Sequence, residues 1–399
     1  MGKLLLFLVF AISYQQRPLY STNQHTYFLH GIASSDIGFL KQDWLSQTTD
    51  AVPVFSALVS LTIQVLGENA FYIFYLLILA IYIYSVLGIA CYVYGIDNSG
   101  AEYLSYFALL TVFYSGLISS LLSKFPISPL VALIVDPNGP LTVGVAGQYI
   151  LGQYLQPCVF GVFIVTSIYA FLRDKPYVAV VYLALSATFH PTYILSAAVL
   201  TCAYMVVIFV KKTNLGKVLL VGTLSTVLVI PILAYTYLNY RPTTADITSQ
   251  AQSILVDTRI PHHAKPAKWY NKSTVYQIIV VVLGIYLARR TKLFLVMLLP
   301  FIAATLLTVV QVVTTNKSLA LMFPWRISVF LVPIASSIIL GFIVSVVFRI
   351  LGKPIAKIAK PLQAVILTVI IIVGYFGVRQ NITLFKAHRV GITAYTQFV

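Results

Sequence analysis

Residues 70 to 94 read AFYIFYLLILAIYIYSVLGIACYVY and contain no acidic or basic residue. A helix of that length rises far enough, at about 1.5 Å per residue, to cross the roughly 30 Å hydrocarbon layer of a bilayer. The surface of a water-soluble domain offers such a run no stable place. Comparable apolar runs recur along the chain, at residues 4 to 14, 103 to 122, 147 to 172, 176 to 189, 192 to 210, 217 to 239, 274 to 288, 293 to 313, 327 to 348 and 361 to 378. They predict an all-α polytopic membrane protein of about eleven transmembrane helices in one transmembrane domain, residues 1 to 399. Hydrophobic residues make up 59% of the chain and charged residues only 9%, which agrees with that class and excludes a soluble enzyme.

The basic residues then set the topology. Short connectors rich in lysine and arginine stay in the cytoplasm. Arg173 with Lys175, Lys211 with Lys212 and Lys217, Arg289 with Arg290 and Lys292, and Arg349 with Lys353, Lys357 and Lys360 all occupy such connectors. Placing them inside puts the N-terminus in the cytoplasm and the C-terminus outside, and it makes residues 15–69, 123–146, 240–273 and 314–326 the exoplasmic loops. A net charge of +16 raises nucleic acid as a partner, but the cations form no continuous stripe, so membrane lipids explain them better. Cys91, Cys158 and Cys202 lie inside apolar runs without disulfide or ligand spacing. The basic start of residues 4 to 14 resembles a signal peptide, yet no small-residue cleavage motif succeeds it, so the segment reads as a short first span.

A chain with only ten acidic residues makes each one informative, and three of them, Asp36, Asp43 and Asp50, stand seven residues apart in the first exoplasmic loop. Seven residues is close to two helical turns. The spacing predicts an interfacial helix over residues 34 to 50 that shows all three on one face and that Pro53 stops. Asp43 precedes Trp44, a side chain that anchors at headgroup level, so it is the favoured catalytic candidate, with Asp36 and Asp50 beside it. The same acids also suit the solvated face or the cap of a surface helix.

Residues 257 to 272, DTRIPHHAKPAKWYNK, gather Arg259, His262, His263, Lys265 and Lys268 in the third large exoplasmic loop. Pro261 and Pro266 predict an extended, non-helical backbone there. Cations held on a stiff loop suit a phosphate, since arginine offers a fork of donors and histidine donates or shares a proton near neutral pH. Anionic headgroups are the alternative ligand. Adjacent histidines on an extended chain point opposite ways, so no metal is expected. Arg326, in FPWRISVFLVP, and His190, in FHPTY, fall at the exoplasmic ends of spans, with Pro191 marking a tight turn. His25 belongs to a polar stretch, NQHTYFLHG. These eight residues are the candidate substrate-binding set.

The short first span, the long acid-bearing first loop, the span count and the later basic loop together resemble the GT-C integral-membrane glycosyltransferases. NQHTYFLHG, DWLSQTTDAVPVFSALV, RIPHHAKPAKW and FPWRISVFLVP also resemble a group of bacterial multispanning proteins. The resemblance implies a GT-C-like fold in a bacterial inner membrane, a carboxylate of the first loop as the catalytic residue, and a polyprenyl-phosphate-linked sugar donor. The acceptor would be a glycan or a lipid, with no cofactor. A transporter or flippase, or a polysaccharide polymerase, acting on a lipid-linked substrate is the alternative. Transporters carry paired repeats and midplane charges, neither of which is visible here.

Overall fold

The computed structural model describes residues 2–14, 16–36, 39–115, 139, 141–212, 214–241 and 244–396. Among these, all regular structure is helical. That is what apolar runs impose, because backbone polar groups in hydrocarbon must be satisfied within their own segment. The α-helices, in chain order, are α1 (Gly2–Ser13), α2 (Gln24–Ser34), α3 (Pro53–Val65), α4 (Ala70–Tyr94), α5 (Gly100–Tyr114), α6 (Val162–Leu172), α7 (Pro176–Phe189), α8 (Ile194–Lys212) and α9 (Leu215–Tyr240). They continue as α10 (Ala245–Ser253), α11 (Pro261–Ala264), α12 (Pro266–Trp269), α13 (Lys272–Leu287), α14 (Leu293–Thr314), α15 (Lys317–Leu321), α16 (Ser328–Lys357) and α17 (Ala359–Thr396).

Six segments among the described residues are long and apolar enough to cross a bilayer: Ala70–Tyr94, Pro191–Lys211, Leu215–Tyr240, Leu293–Thr314, Lys317–Gly352 and Ala359–Ala387. Lys3–Ser13, Pro53–Val65, Pro157–Leu172, Pro176–Phe189 and Lys272–Leu287 are apolar but shorter. The expected span at 103 to 122 begins as α5; its end, and the loop from 123 to 138, lie outside the described residues.

Helix α16 is the centre of the bundle, packed against α4, α5 and α13, and Val329, Phe330, Ile334, Ala335 and Ile338 on it are buried. The α13 contact is very close: a Cβ on Gly284 would sit 2.5 Å from that of Ala335. Helices α9, α14 and α17 are peripheral and show Leu219, Val313 and Ile371 outward, as lipid-facing helices do. Pro231 and Pro300 lie inside α9 and α14. Side-chain caps fix several starts, with Asn271 Oδ1 accepting from the Thr274 amide at 3.1 Å and Asn316 Oδ1 from the Leu319 amide at 2.9 Å.

The structure departs from the sequence reading in three places. The span expected at 147 to 172 is helical only in its second half, and residues 148 to 156 are non-helical backbone held inside the bundle. Polar side chains satisfy that region and the backbone just before it: Gln24 Nε2 donates to Leu155 O at 2.7 Å and Tyr75 to Gly152 O, while Gln277 Nε2 donates to Val143 O at 2.8 Å. Buried irregular backbone requires such partners.

The single interfacial helix over 34 to 50 does not form. Asp36 takes a left-handed backbone (φ 58°) directly after α2, and the chain then makes two short 3₁₀ turns, Leu40–Gln42 and Trp44–Gln47. Pro53 opens α3 at its first turn, where its missing N–H costs nothing, instead of ending a helix. Third, the loop around His262 is not extended. Ile254–Arg259 is a π-helical turn, and Pro261 and Pro266 each start a one-turn helix.

Candidate functional site

Side chains from separate stretches of the chain meet at Arg326. The turn between α7 and α8 contributes first: His190, which precedes a proline, is extended (φ −143°, ψ 99°) and gives its amide to Ser186 O at 3.0 Å, closing α7. Pro191–Tyr193 is then a 3₁₀ turn, anchored by Tyr193 Oη donating to Cys158 O at 2.7 Å. Arg326 itself lies on the 3₁₀ turn Pro324–Ile327. Phe323 before it is left-handed (φ 47°, ψ 64°), a strained choice for a bulky side chain that persists only where its surroundings enforce it.

Arg326 Nε donates to Gln148 Oε1 at 3.3 Å, and Nη1 donates to His190 Nε2 at 3.2 Å and to Thr192 Oγ1. All three partners are uncharged. Among the described residues no carboxylate pairs with this guanidinium, which is half-buried and stacks near the rings of Tyr193 and Phe323, each 5.8 Å from it. Its Nη2 makes no hydrogen bond among the described residues.

Arginine only donates, so His190 Nε2 accepts and the ring proton sits on Nδ1. His190 is 6% exposed, and its Nδ1 has no partner among the described residues. Burial, and then the charge of Arg326, hold its pKa well below the ordinary 6.5. The indoles of Trp325 and Trp269 stand edge to face at 6.1 Å, and both Nε1–H groups are buried without an acceptor among the described residues. A cation with neutral partners and three unsatisfied N–H donors around it calls for a ligand rich in lone pairs.

His263 joins this region: its Nδ1 lies 3.0 Å from Ala146 O, two residues before Gln148. Burial, His262 and Arg326 together lower its pKa. The His262 and His263 rings are neighbours at 4.2 Å, not opposed, because the backbone there is a helical turn. Among the described residues no group of three metal-ligating side chains forms.

The remaining cations of the predicted set go elsewhere. Lys265 pairs with Asp257 at 2.7 Å, and Lys317, which the sequence did not single out, pairs with the same carboxylate at 2.8 Å. Those two lysines hold the Asp257 carboxyl below the usual range. Arg259, Lys268 and His262 are exposed, and His25 is exposed on α2.

The three aspartates do not share a face. Asp36 pairs with Lys41 at 2.6 Å in the open. Asp43 Oδ1 accepts from the Leu45 amide at 2.8 Å, and its other oxygen has no hydrogen bond among the described residues. Asp50 Oδ1 accepts from the Val52 amide at 2.8 Å, while Tyr235 Oη donates to the Asp50 carbonyl at 2.8 Å and ties this loop to α9. Helix α2 links the first loop to the Arg326 region, for the ring of Tyr27 meets that of His190 at 6.4 Å.

Gln148 and Thr192 were not foreseen. The available signal was the three glutamines, Gln148, Gln153 and Gln156, in the apolar run VAGQYILGQYLQP, residues costly to place against lipid. Comparison with protein-family models, with curated proteins and with solved structures returned no match.

Proposed function

We propose that the protein is a membrane glycosyltransferase of GT-C type that transfers a sugar from a polyprenyl-phosphate carrier to a glycan or lipid acceptor at the exoplasmic face of a bacterial inner membrane. One observation carries this reading: among the described residues the half-buried Arg326 has only uncharged hydrogen-bond partners, and the buried His190 Nδ1–H beside it has no acceptor. A phosphate that joins a sugar to a polyprenyl chain offers the charge and the lone pairs that this arrangement lacks.

In the reaction so proposed, an acceptor hydroxyl attacks the anomeric carbon of the sugar. The bond from that carbon to the phosphate oxygen breaks, and its electron pair leaves with the polyprenyl phosphate. Arg326 and His190 stabilise the charge that grows on this oxygen, the role of preorganised donors at a developing anion. The hydroxyl proton passes to a first-loop carboxylate acting as general base. Asp43 is the candidate, since it is partly buried and has one oxygen without a hydrogen bond among the described residues, whereas Asp36 is committed to Lys41.

The test uses purified protein in proteoliposomes loaded with a polyprenyl-phosphate sugar and a membrane extract that supplies acceptors. The parent should release polyprenyl phosphate, and Asp43→Asn should bind the donor yet release at least about a hundredfold less, the scale of a lost general base. Unchanged release by Asp43→Asn removes it from the mechanism. Movement of intact donor across the bilayer with no release overturns the transferase reading in favour of a transporter.

A further inference from the structure

Helix α10 and the π-helical turn after it, residues 245 to 259, are inside out by the standards of a protein in water. Ile247 and Ile254 are separated by close to two helical turns, so they share one side of the segment, where they are 54% and 61% exposed. Leu255 flanks them and is exposed as well. The opposite side is the polar one, and it meets α15: Gln252 Nε2 donates to Ser318 Oγ at 2.8 Å, and Lys317 Nζ donates to Ser253 Oγ at 2.8 Å and pairs with Asp257. Of the large apolar residues only Val256 turns inward, onto Ala264 and Ala320. A segment that gives its polar side chains to the protein and shows isoleucine outward is matched to apolar surroundings.

Its place in the chain supplies those surroundings. Helix α10 opens shortly after Tyr240 ends α9, and α15, on which it rests, opens shortly after Thr314 ends α14. Both α9 and α14 are long and apolar enough to cross a bilayer, so a segment set between their ends lies at headgroup depth. Gln311, near the end of α14, fixes the same loop by donating to Ala264 O at 2.6 Å, and Val310 and Val313 on those last turns are exposed as lipid-facing residues are. Arg259, Lys268 and Tyr270 are exposed too, and neither cation pairs with a carboxylate among the described residues. Cations and a tyrosine beside an outward apolar stripe match the boundary between headgroup phosphates and acyl chains. A second copy of the chain is a poor occupant, because 26 basic against 10 acidic residues would meet these cations with like charge.

We propose that residues 245 to 259 form an interfacial segment that docks on an anionic lipid leaflet, with Ile247, Ile254 and Leu255 sunk among the upper acyl chains and Arg259 and Lys268 on the headgroup phosphates. The docking requires no sugar transfer and stands whether or not Arg326 binds a donor. Its consequence is positional: the loop that brings His263 to Ala146 O and Trp269 to Trp325 is held at the leaflet's surface.

Photolabelling of the full chain in nanodiscs tests this, with phosphatidylglycerol or phosphatidylcholine carrying a diazirine on the upper acyl chain and adducts mapped by peptide mass spectrometry. Peptides holding Ile247, Ile254 or Leu255 should carry adducts, as should the turn of α14 around Val310. Ile254→Asp combined with Leu255→Asp changes side chains that are already exposed, so the protein folds, and labelling of the segment should fall at least about tenfold while that at Val310 stays unchanged. Each cation at an anionic surface favours it by about fivefold, so the phosphatidylglycerol probe should label the segment more than the phosphatidylcholine probe does, and Arg259→Gln combined with Lys268→Gln should remove the excess. Arg326→Gln should leave every yield unaltered. A labelled Val310 turn with no adduct on the segment, undiminished labelling in the double aspartate variant, equal yields from the two probes, or loss of labelling in Arg326→Gln overturns the proposal. Protection of the segment's amides from exchange without any adduct does so too, and would assign this face to a protein partner.

Discussion

Replacing Arg326 by Gln removes the guanidinium that meets Gln148, His190 and Thr192 and leaves a shorter neutral amide in its place. A hydrogen bond to a charged group contributes about 1.5–3 kcal/mol. Losing one such bond to a bound phosphate therefore weakens binding about 10- to 150-fold. The assay is built into the site. Of the protein's three tryptophans, Trp44 is exposed, while Trp269 and Trp325 stand together next to Arg326, so quenching of intrinsic fluorescence by polyprenyl phosphate in micelles reads this region.

The same substitution has a second signature in the pH dependence of stability. His190 and His263 both titrate below the ordinary 6.5, and Arg326 is a cause in each case. Below pH 6.5 the unfolded chain therefore binds more protons than the folded one, so stability falls as the medium is acidified through and beneath that value. Arg326→Gln removes one cause of the depression. Its melting temperature should fall less steeply between about pH 6.5 and 4.5 than the parent's. A folded Arg326→Gln protein that binds polyprenyl phosphate within twofold of the parent, with the parent's acid slope, would refute the anion-site reasoning.

Two further expectations concern how the supporting structure is held. A Cβ on Gly31 would stand 2.6 Å from the Ser56 carbonyl oxygen and from Val59, so Gly31→Val should force α2 away from α3, cost about 1–3 kcal/mol, and lower the melting temperature; an unchanged transition would show that this contact is looser than described. Asp257→Asn releases Lys265 and Lys317 from their shared partner, so limited trypsin digestion should cut after Arg259 and Lys268 faster than in the parent, and equal rates would mean the ion triad does not hold the loop.

Hydrophobicity announced α4, α8, α9, α14 and α16 to within a few residues at most of their ends, because the bilayer leaves a long apolar segment no other conformation. The turn at His190 was also foreseeable, from two basic connectors flanking it and a proline between them. What failed was the equation of apolar with helical. Residues 148 to 156 are apolar on average, but Gln148, Gly152, Gln153 and Gln156 mark backbone that tertiary partners satisfy, and those partners, Gln24 and Tyr75, lie far away in sequence.

The regular spacing of Asp36, Asp43 and Asp50 suggested a shared helical face, yet Asp36 is left-handed and each of the other two binds the amide two residues ahead. Local capping chemistry won over periodicity. Arg326 and His190 were each noticed singly. Their union is a tertiary event, and Thr192 gives no hint of it in the sequence.

The short helices have an outcome of their own. The segments Pro157–Leu172 and Pro176–Phe189 reach only about 24 and 21 Å, well under the thickness of a hydrocarbon layer, and the hinge that ends the second carries His190. Lipid beside this pair must thin, or water must descend to meet it. Either adjustment brings the aqueous boundary down toward the turn that carries His190, so under the proposed reading a polyprenyl phosphate would meet the guanidinium in a local depression of the membrane surface.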